Sequence, residues 1–170
     1  MWDTTFPPLL SELHRLEFDY ADGDGIDFEP YTAFMTAEET REWFRLWTGN
    51  PEVEGSVFRI FGQDGTGGYA AFWLQDDIED ILQQPIVFMG SEGETGVVAI
   101  DFASYLWVLA GGVGPYEAVA YPSDAHTQHK TFHTFAEQHS TRHMLTAPAV
   151  INEARDSYPN FGSWVESLCR

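Results

Sequence analysis

The histidines are the side chains in this chain with the most evident chemical potential. His126, His129 and His133 share a narrow arc if residues 124–140 are helical, and His129/His133 have the i, i+4 spacing that chelates Zn²⁺. His139 and His143 repeat that spacing. A hydrolytic zinc helix would need Glu directly after the first His, in an H-E-x-x-H pattern, but Lys130 and Thr131 follow His129. Phe132, Phe135 and Ala136 mark the adjoining apolar face, so the histidines read as the solvent border of a core.

Other motifs are weaker. Asp22-Gly23-Asp24-Gly25 resembles part of a calcium loop, yet aligning Gly25 to the required glycine puts Tyr20 at the first ligand position and Asp27 where an apolar residue belongs. A tight turn is expected there. Gly62–Gly68 is glycine-rich but lacks the Lys-Ser/Thr of a phosphate loop, and Asp64 within it would repel phosphate; a hairpin connection is expected. Ser91 lies in Gly90-Ser91-Glu92-Gly93, which is no nucleophile elbow, and Cys169 has no activating partner nearby in sequence. Asp76-Asp77-Ile78-Glu79-Asp80 is the densest carboxylate cluster. Contiguous acids between two strands read as a solvated loop, because acid/base pairs usually assemble from separate elements with divergent environments. The expectation is a protein that is not an enzyme and holds no metal.

The elements that would position these residues follow from periodicity. Leu9, Leu13 and Leu16 predict a helix over Pro8–Leu16. Thr36 and Glu39 form a capping-box pattern for a helix carrying Trp43, Phe44 and Trp47, stopped by Gly49-Asn50-Pro51. Val57–Phe61, Tyr69–Leu74, Pro85–Met89 and Val97–Ile100 are short runs of branched and aromatic residues and predict strands. The last two are apolar at successive positions, which predicts central strands covered on both faces. Asp101 caps a helix with Phe102, Leu106 and Leu109, closed by Gly111-Gly112. Helices follow from Asp124 to Ser140 and from Pro148, then one with Phe161, Trp164, Val165 and Leu168 on one face. The prediction is a single α+β domain over 1–170, with a mixed or largely antiparallel sheet of four to six strands flanked by helices. N-terminal helices occupy about 8–48, a strand-rich centre about 56–100 and C-terminal helices about 101–169.

Charge adds the partner class. Of the formal net charge of −19, −17 lies in residues 1–101, with 21 Asp/Glu against four Arg and no Lys; residues 102–170 carry a net −2. Such asymmetry favours a basic partner and disfavours nucleic acid as a direct ligand, whose affinity rests on Lys/Arg meeting phosphate. Solubility alone is the competing account of the acidity. No apolar run approaches a membrane span, the first residues lack the pattern of a secretory signal, and one cysteine excludes an intrachain disulfide. A cytoplasmic location is expected.

The central stretch resembles the SUKH superfamily (Smi/Knr-like). The residues that carry the resemblance are Phe58-Arg59-Ile60-Phe61-Gly62, Gly68-Tyr69-Ala70-Ala71-Phe72-Trp73 and Pro85-Ile86-Val87-Phe88-Met89-Gly90-Ser91-Glu92-Gly93. Val97-Val98-Ala99-Ile100-Asp101-Phe102 and Tyr105-Leu106 continue it. The likeness covers about the central third of the chain and does not extend to the family's N-terminal signature or to the His-rich part. It implies an α+β fold without a cofactor and a protein–protein role, since the superfamily includes immunity proteins that neutralise polymorphic toxins.

The function expected is therefore a cytoplasmic immunity or binding protein that occludes a toxin domain with a basic surface, a nuclease for instance. A regulatory scaffold with an endogenous partner is the alternative, and a metal-dependent hydrolase using the His-rich helix is the weaker one. The expected contact residues are Asp76, Asp77, Glu79 and Asp80, with Glu92 and Glu94. Trp73 is expected in the core.

Overall fold

The computed structural model describes residues 2–23, 25–122 and 126–170. The first helix, α1 (Pro8–Leu13), buries Leu10 and Leu13 and begins on a proline whose missing N–H costs nothing there. It ends three residues earlier than the leucine spacing predicts. His14 leaves the helix, and its Nδ1–H donates to the Tyr31 carbonyl at 2.7 Å. The loop after it closes as a tight turn: Ile26 N–H donates to the Asp19 carbonyl and Gly25 N–H to that of Tyr20. Asp24 of the calcium-like run lies outside the described residues.

Helix α2 (Ala37–Thr48) forms as its cap predicts. Thr36 Oγ1 accepts from Glu39 N–H at 3.1 Å, and Glu38 and Glu39 sit in the first turn, where the helix dipole favours anions. Gly49 ends it at φ +66°, a conformation that penalises a side chain.

Five strands form one antiparallel sheet in the order β1-β2-β3-β4-β5: β1 (Glu29–Pro30), β2 (Phe58–Gln63), β3 (Tyr69–Trp73), β4 (Ile86–Met89) and β5 (Thr95–Ala99). The two-residue β1 was not expected. It pairs Glu29 with Gln63 and Pro30 with Gly62, and an edge position suits a proline that cannot donate to a ladder. A register shift between Ile60 and Gly62 marks a bulge in β2. At Gly62 an added Cβ would fall 2.1 Å from the Phe28 ring, so only glycine lets that ring close over the strand. The prediction that β4 and β5 are both central needs correcting: β5 is an edge strand. Its continuous apolar run reports coverage of both faces, not a neighbour on both sides.

Alternation along the strands divides the interior into two cores. Phe61, Phe72, Phe88 and Val98 face one side, with Leu10, Leu13, Tyr105 and Phe132. Phe58, Ile60, Val87 and Met89 face the other, with Phe44, Phe161 and Val165. Each fully buried phenyl group contributes roughly 1.5–3 kcal/mol by leaving water. Helix α3 (Phe102–Ala110) lies in the first core, capped by Asp101 Oδ1 accepting from Ser104 N–H at 2.8 Å. Helix α4 (Pro115–Ala120) was not expected; the Glu117 carboxyl reaches back to accept from Gly114 N–H at 3.0 Å. Helix α5 (Lys130–His139) starts later than predicted, for the reason given below. Helix α6 (Ala147–Ser157) gives Val150 and Ile151 to the first core and Ala154 to the second, and α7 (Phe161–Leu168) closes the second. The result is an α+β domain with helices on both faces of the sheet and a helical C-terminal part. No helix among the described residues is long and apolar enough to cross a membrane.

Candidate functional site

The four contiguous acids lie where β3 passes to β4. Asp76, Asp77, Glu79 and Asp80 are all exposed, and Ile78 between them is half-buried. The connection is built rather than slack. Gln84, buried to 3 % exposure, accepts from Gln75 N–H at 2.7 Å and donates to the Ile78 carbonyl at 2.7 Å. Asp80 Oδ1 accepts from Leu82 N–H and caps the 3₁₀ turn Ile81–Gln83. Among the described residues no Lys or Arg pairs with any of the four. Arg41 and Arg45 are instead drawn to Glu54, Arg142 to Glu153 and Arg170 to Glu52. Among the described residues the negative charge of this connection is therefore met by no ion pair.

Glu92 and Glu94 do not join that patch. They belong to the turn between β4 and β5, at the opposite end of β4, and four strand residues at ~3.3 Å each separate the two ends by ~13 Å. Glu94 serves its own turn: its Oε1 accepts from Glu92 N–H at 3.0 Å, and its carbonyl accepts from Gly90 N–H. Glu92 is exposed. That end also carries the hairpin predicted at 62–68, where Asp64 is fully buried and accepts from Gly68 N–H, Thr66 N–H and Thr66 Oγ1–H. Its role is to hold the turn.

Beside the 76–80 connection the structure places an aromatic slot of about 350 Å³, walled by Trp73 at the end of β3 and by Tyr158, Phe161 and Trp164 at the corner between α6 and α7. Trp73 and Trp164 stack with centroids 5.5 Å apart and planes at 27°, and Tyr158 meets Trp73 edge-on at 5.6 Å. Trp73, expected in the core, packs against the second core and is half-exposed at its rim. Burial raises the Tyr158 phenol pKa, and the charges of Asp77 and Asp101 raise it further. Nothing local in the sequence announces this site, because Trp73 and Tyr158 stand 85 positions apart and meet only when α7 closes on the sheet.

The histidines are dispersed by the start of α5. Residues 126–129 run outside the helix, with His129 N–H donating to the Ala110 carbonyl at 2.9 Å. His129 is the N-cap; its Nδ1 accepts from Phe132 N–H and its ring packs on Phe132. Asp124, where the helix was expected to begin, lies outside the described residues. His133 turns elsewhere, against Trp107, with Nδ1 3.1 Å from Glu137 Oε1. His143 is beyond the end of the helix, so its sequence spacing to His139 has no helical meaning. Among the described residues no group of three or more His, Cys, Asp or Glu is placed to hold a metal ion. An apolar cleft of about 450 Å³, lined by Trp107, Tyr121, His133, Met144 and Ile151 among others, opens between α3 and α6.

Two titratable groups escaped the sequence reading. Glu117 is buried, with Oε1 3.4 Å from Asp27 N–H as well as capping α4, and its Oε2 has no partner. Burial pushes its pKa up to about 7 against the opposing pull of the Gly114 and Asp27 amides. His14 is held among Phe6, Phe18, Phe28 and Phe61, and burial drives its pKa down to about 4. Neither opens on the aromatic slot. Comparison with models of protein families, with curated proteins and with solved structures finds no match for this chain.

Proposed function

We propose that this chain is a cytoplasmic immunity or binding protein that neutralises a toxin domain with a basic surface by covering it. The observation that carries this reading is the β3–β4 connection: four exposed carboxylates without a cationic partner among the described residues, held in shape by the buried Gln84 amide. A loop of this kind loses little conformational freedom on binding, and its field draws a basic surface from a distance. The charge asymmetry of the sequence and its resemblance to SUKH proteins support the same reading.

An enzyme that acts on nucleic acid must present a cationic surface to phosphate. An acidic protein seated there blocks substrate without any chemistry of its own. The test is to mix the purified chain with the toxin domain encoded beside its gene. A one-to-one complex that abolishes toxin activity is expected. A toxin that stays fully active in excess of this chain would overturn the reading.

A further inference from the structure

The apolar cleft between α3 and α6 has a chemistry unlike the acidic connection. Its floor is made of Trp107, Val113 and Ile151, all buried, and its mouth of Tyr121 and Met144, both exposed. Among the described residues no Asp, Glu, Lys or Arg lines it, although the chain holds 27 acids. Its volume of about 450 Å³ falls within the range of small-molecule sites, roughly 300–1,000 Å³. It shares no lining residue with the aromatic slot.

One wall carries a polar atom without a matching partner. His133 Nδ1 lies 3.1 Å from Oε1 of Glu137, which does not line the cleft, and its Nε2 lies 3.4 Å from Sδ of Met144, which does. A carboxylate only accepts, so it holds the proton of the neutral imidazole on Nδ1. Nε2 is then a lone pair that faces a thioether, and a thioether has no proton to give. Trp107 cannot supply one, because its indole N–H already donates to the Arg142 carbonyl at 3.2 Å. The Met144 side chain is 67 % exposed and unbranched, so it can turn aside for a better partner.

We propose that this cleft binds a small, uncharged aromatic molecule bearing one N–H or O–H group, which donates to His133 Nε2 while its rings pack on the apolar floor. A charged ligand would meet no opposite charge in the lining, and a ligand without a donor would leave Nε2 unpaired. Ring walls from Trp107, Tyr121 and His133 favour an aromatic body, since aromatic pairs gain more than their buried area alone provides. This site stands apart from the acidic connection and does not rest on the toxin reading.

The probe is indole, titrated into the isotopically labelled full chain while the Trp107 indole N–H and the His133 ring nitrogens are followed by NMR. Benzofuran, of the same shape with an oxygen in place of the N–H, is the control. Saturable shifts at Trp107 are expected with both, and indole should bind at least about fivefold more tightly, the share of one neutral hydrogen bond. His133→Phe keeps a ring against Trp107 and removes the acceptor, so it should bring indole down to the affinity of benzofuran and leave benzofuran unchanged. Met144→Ala, at an exposed position, clears the approach to Nε2 and should keep the preference for indole. Equal affinity of the native chain for the two probes, or no saturable shift at Trp107, would overturn the proposal. A preference for indole that survives His133→Phe would overturn the role of Nε2.

Discussion

Glu117 and His14 show how single residues set a pH dependence that neither composition nor net charge would reveal. Glu117 holds its proton to about pH 7 in the fold but gives it up near 4.5 when unfolded. The folded state therefore binds the extra proton between these values, and stability falls as pH rises through that window. His14 has the opposite sign. Its folded pKa of about 4 lies below the ordinary 6.5, so the unfolded state binds the extra proton and stability falls as pH drops through that window. The two slopes oppose between about pH 4.5 and 6.5, and each spans roughly 3 kcal/mol at one kcal-scale step per pKa unit. Urea unfolding at a series of pH values should therefore be nearly flat in that interval for the native chain. Glu117→Gln should leave a profile that rises with pH, and His14→Asn one that falls. Profiles unchanged by either substitution would show that these groups titrate alike in both states.

At the scale of elements, the sequence was legible wherever a local device decided the outcome. The Thr36–Glu39 cap, the Asp101 cap and the apolar face of Phe161, Trp164, Val165 and Leu168 each specify a helix that forms within a residue or two of its expected bounds. Elements decided by tertiary partners were not legible. Strand β1 exists only because β2 offers an edge, and α5 starts late because His129 N–H is claimed by the Ala110 carbonyl. Helix α4 did carry a signal, the Gly114-Pro115 pair followed by Glu117 at the third helical position. The separation of Glu92 and Glu94 from Asp76–Asp80 was also readable, since a predicted strand lay between them and a strand holds its ends apart. The slot was not, because it is made where α7 closes on β3. Gln84 gives the element-scale prediction. Gln84→Leu removes the acceptor of Gln75 N–H and the donor to the Ile78 carbonyl, so amide exchange at Gln75 should accelerate at least about tenfold, with about 1–3 kcal/mol lost from stability. Unchanged exchange at Gln75 would mean that the connection is held by other contacts.

Across the whole molecule, charge and architecture are divided between the two parts of the chain. The strands and their connections come from the acidic residues 1–101, whereas the near-neutral residues 102–170 supply the helices that complete both cores. A net charge of −19 lies far from zero and keeps copies of the chain apart, which alone would account for acidity spread evenly over the surface. An ordered acidic connection beside an aromatic slot is a more specific arrangement, and it makes the field local. Its effect should appear in the rate of association more than in the lifetime of a complex, because exposed charges steer encounter.

The association rate with the proposed toxin partner, measured at ionic strengths from about 0.01 M to about 0.15 M, tests this most directly, since the screening length falls from ~30 Å to ~8 Å over that range. The native chain should associate at least about tenfold more slowly at the higher value. Joint reversal of Asp76, Asp77 and Glu79 to Lys, with Asp80 kept because it caps the turn Ile81–Gln83, should lower the low-salt rate and flatten the dependence, with folding intact. A native rate indifferent to salt, or a reversed chain that associates as fast as the native one, would contradict the claim that this connection steers and seats the partner.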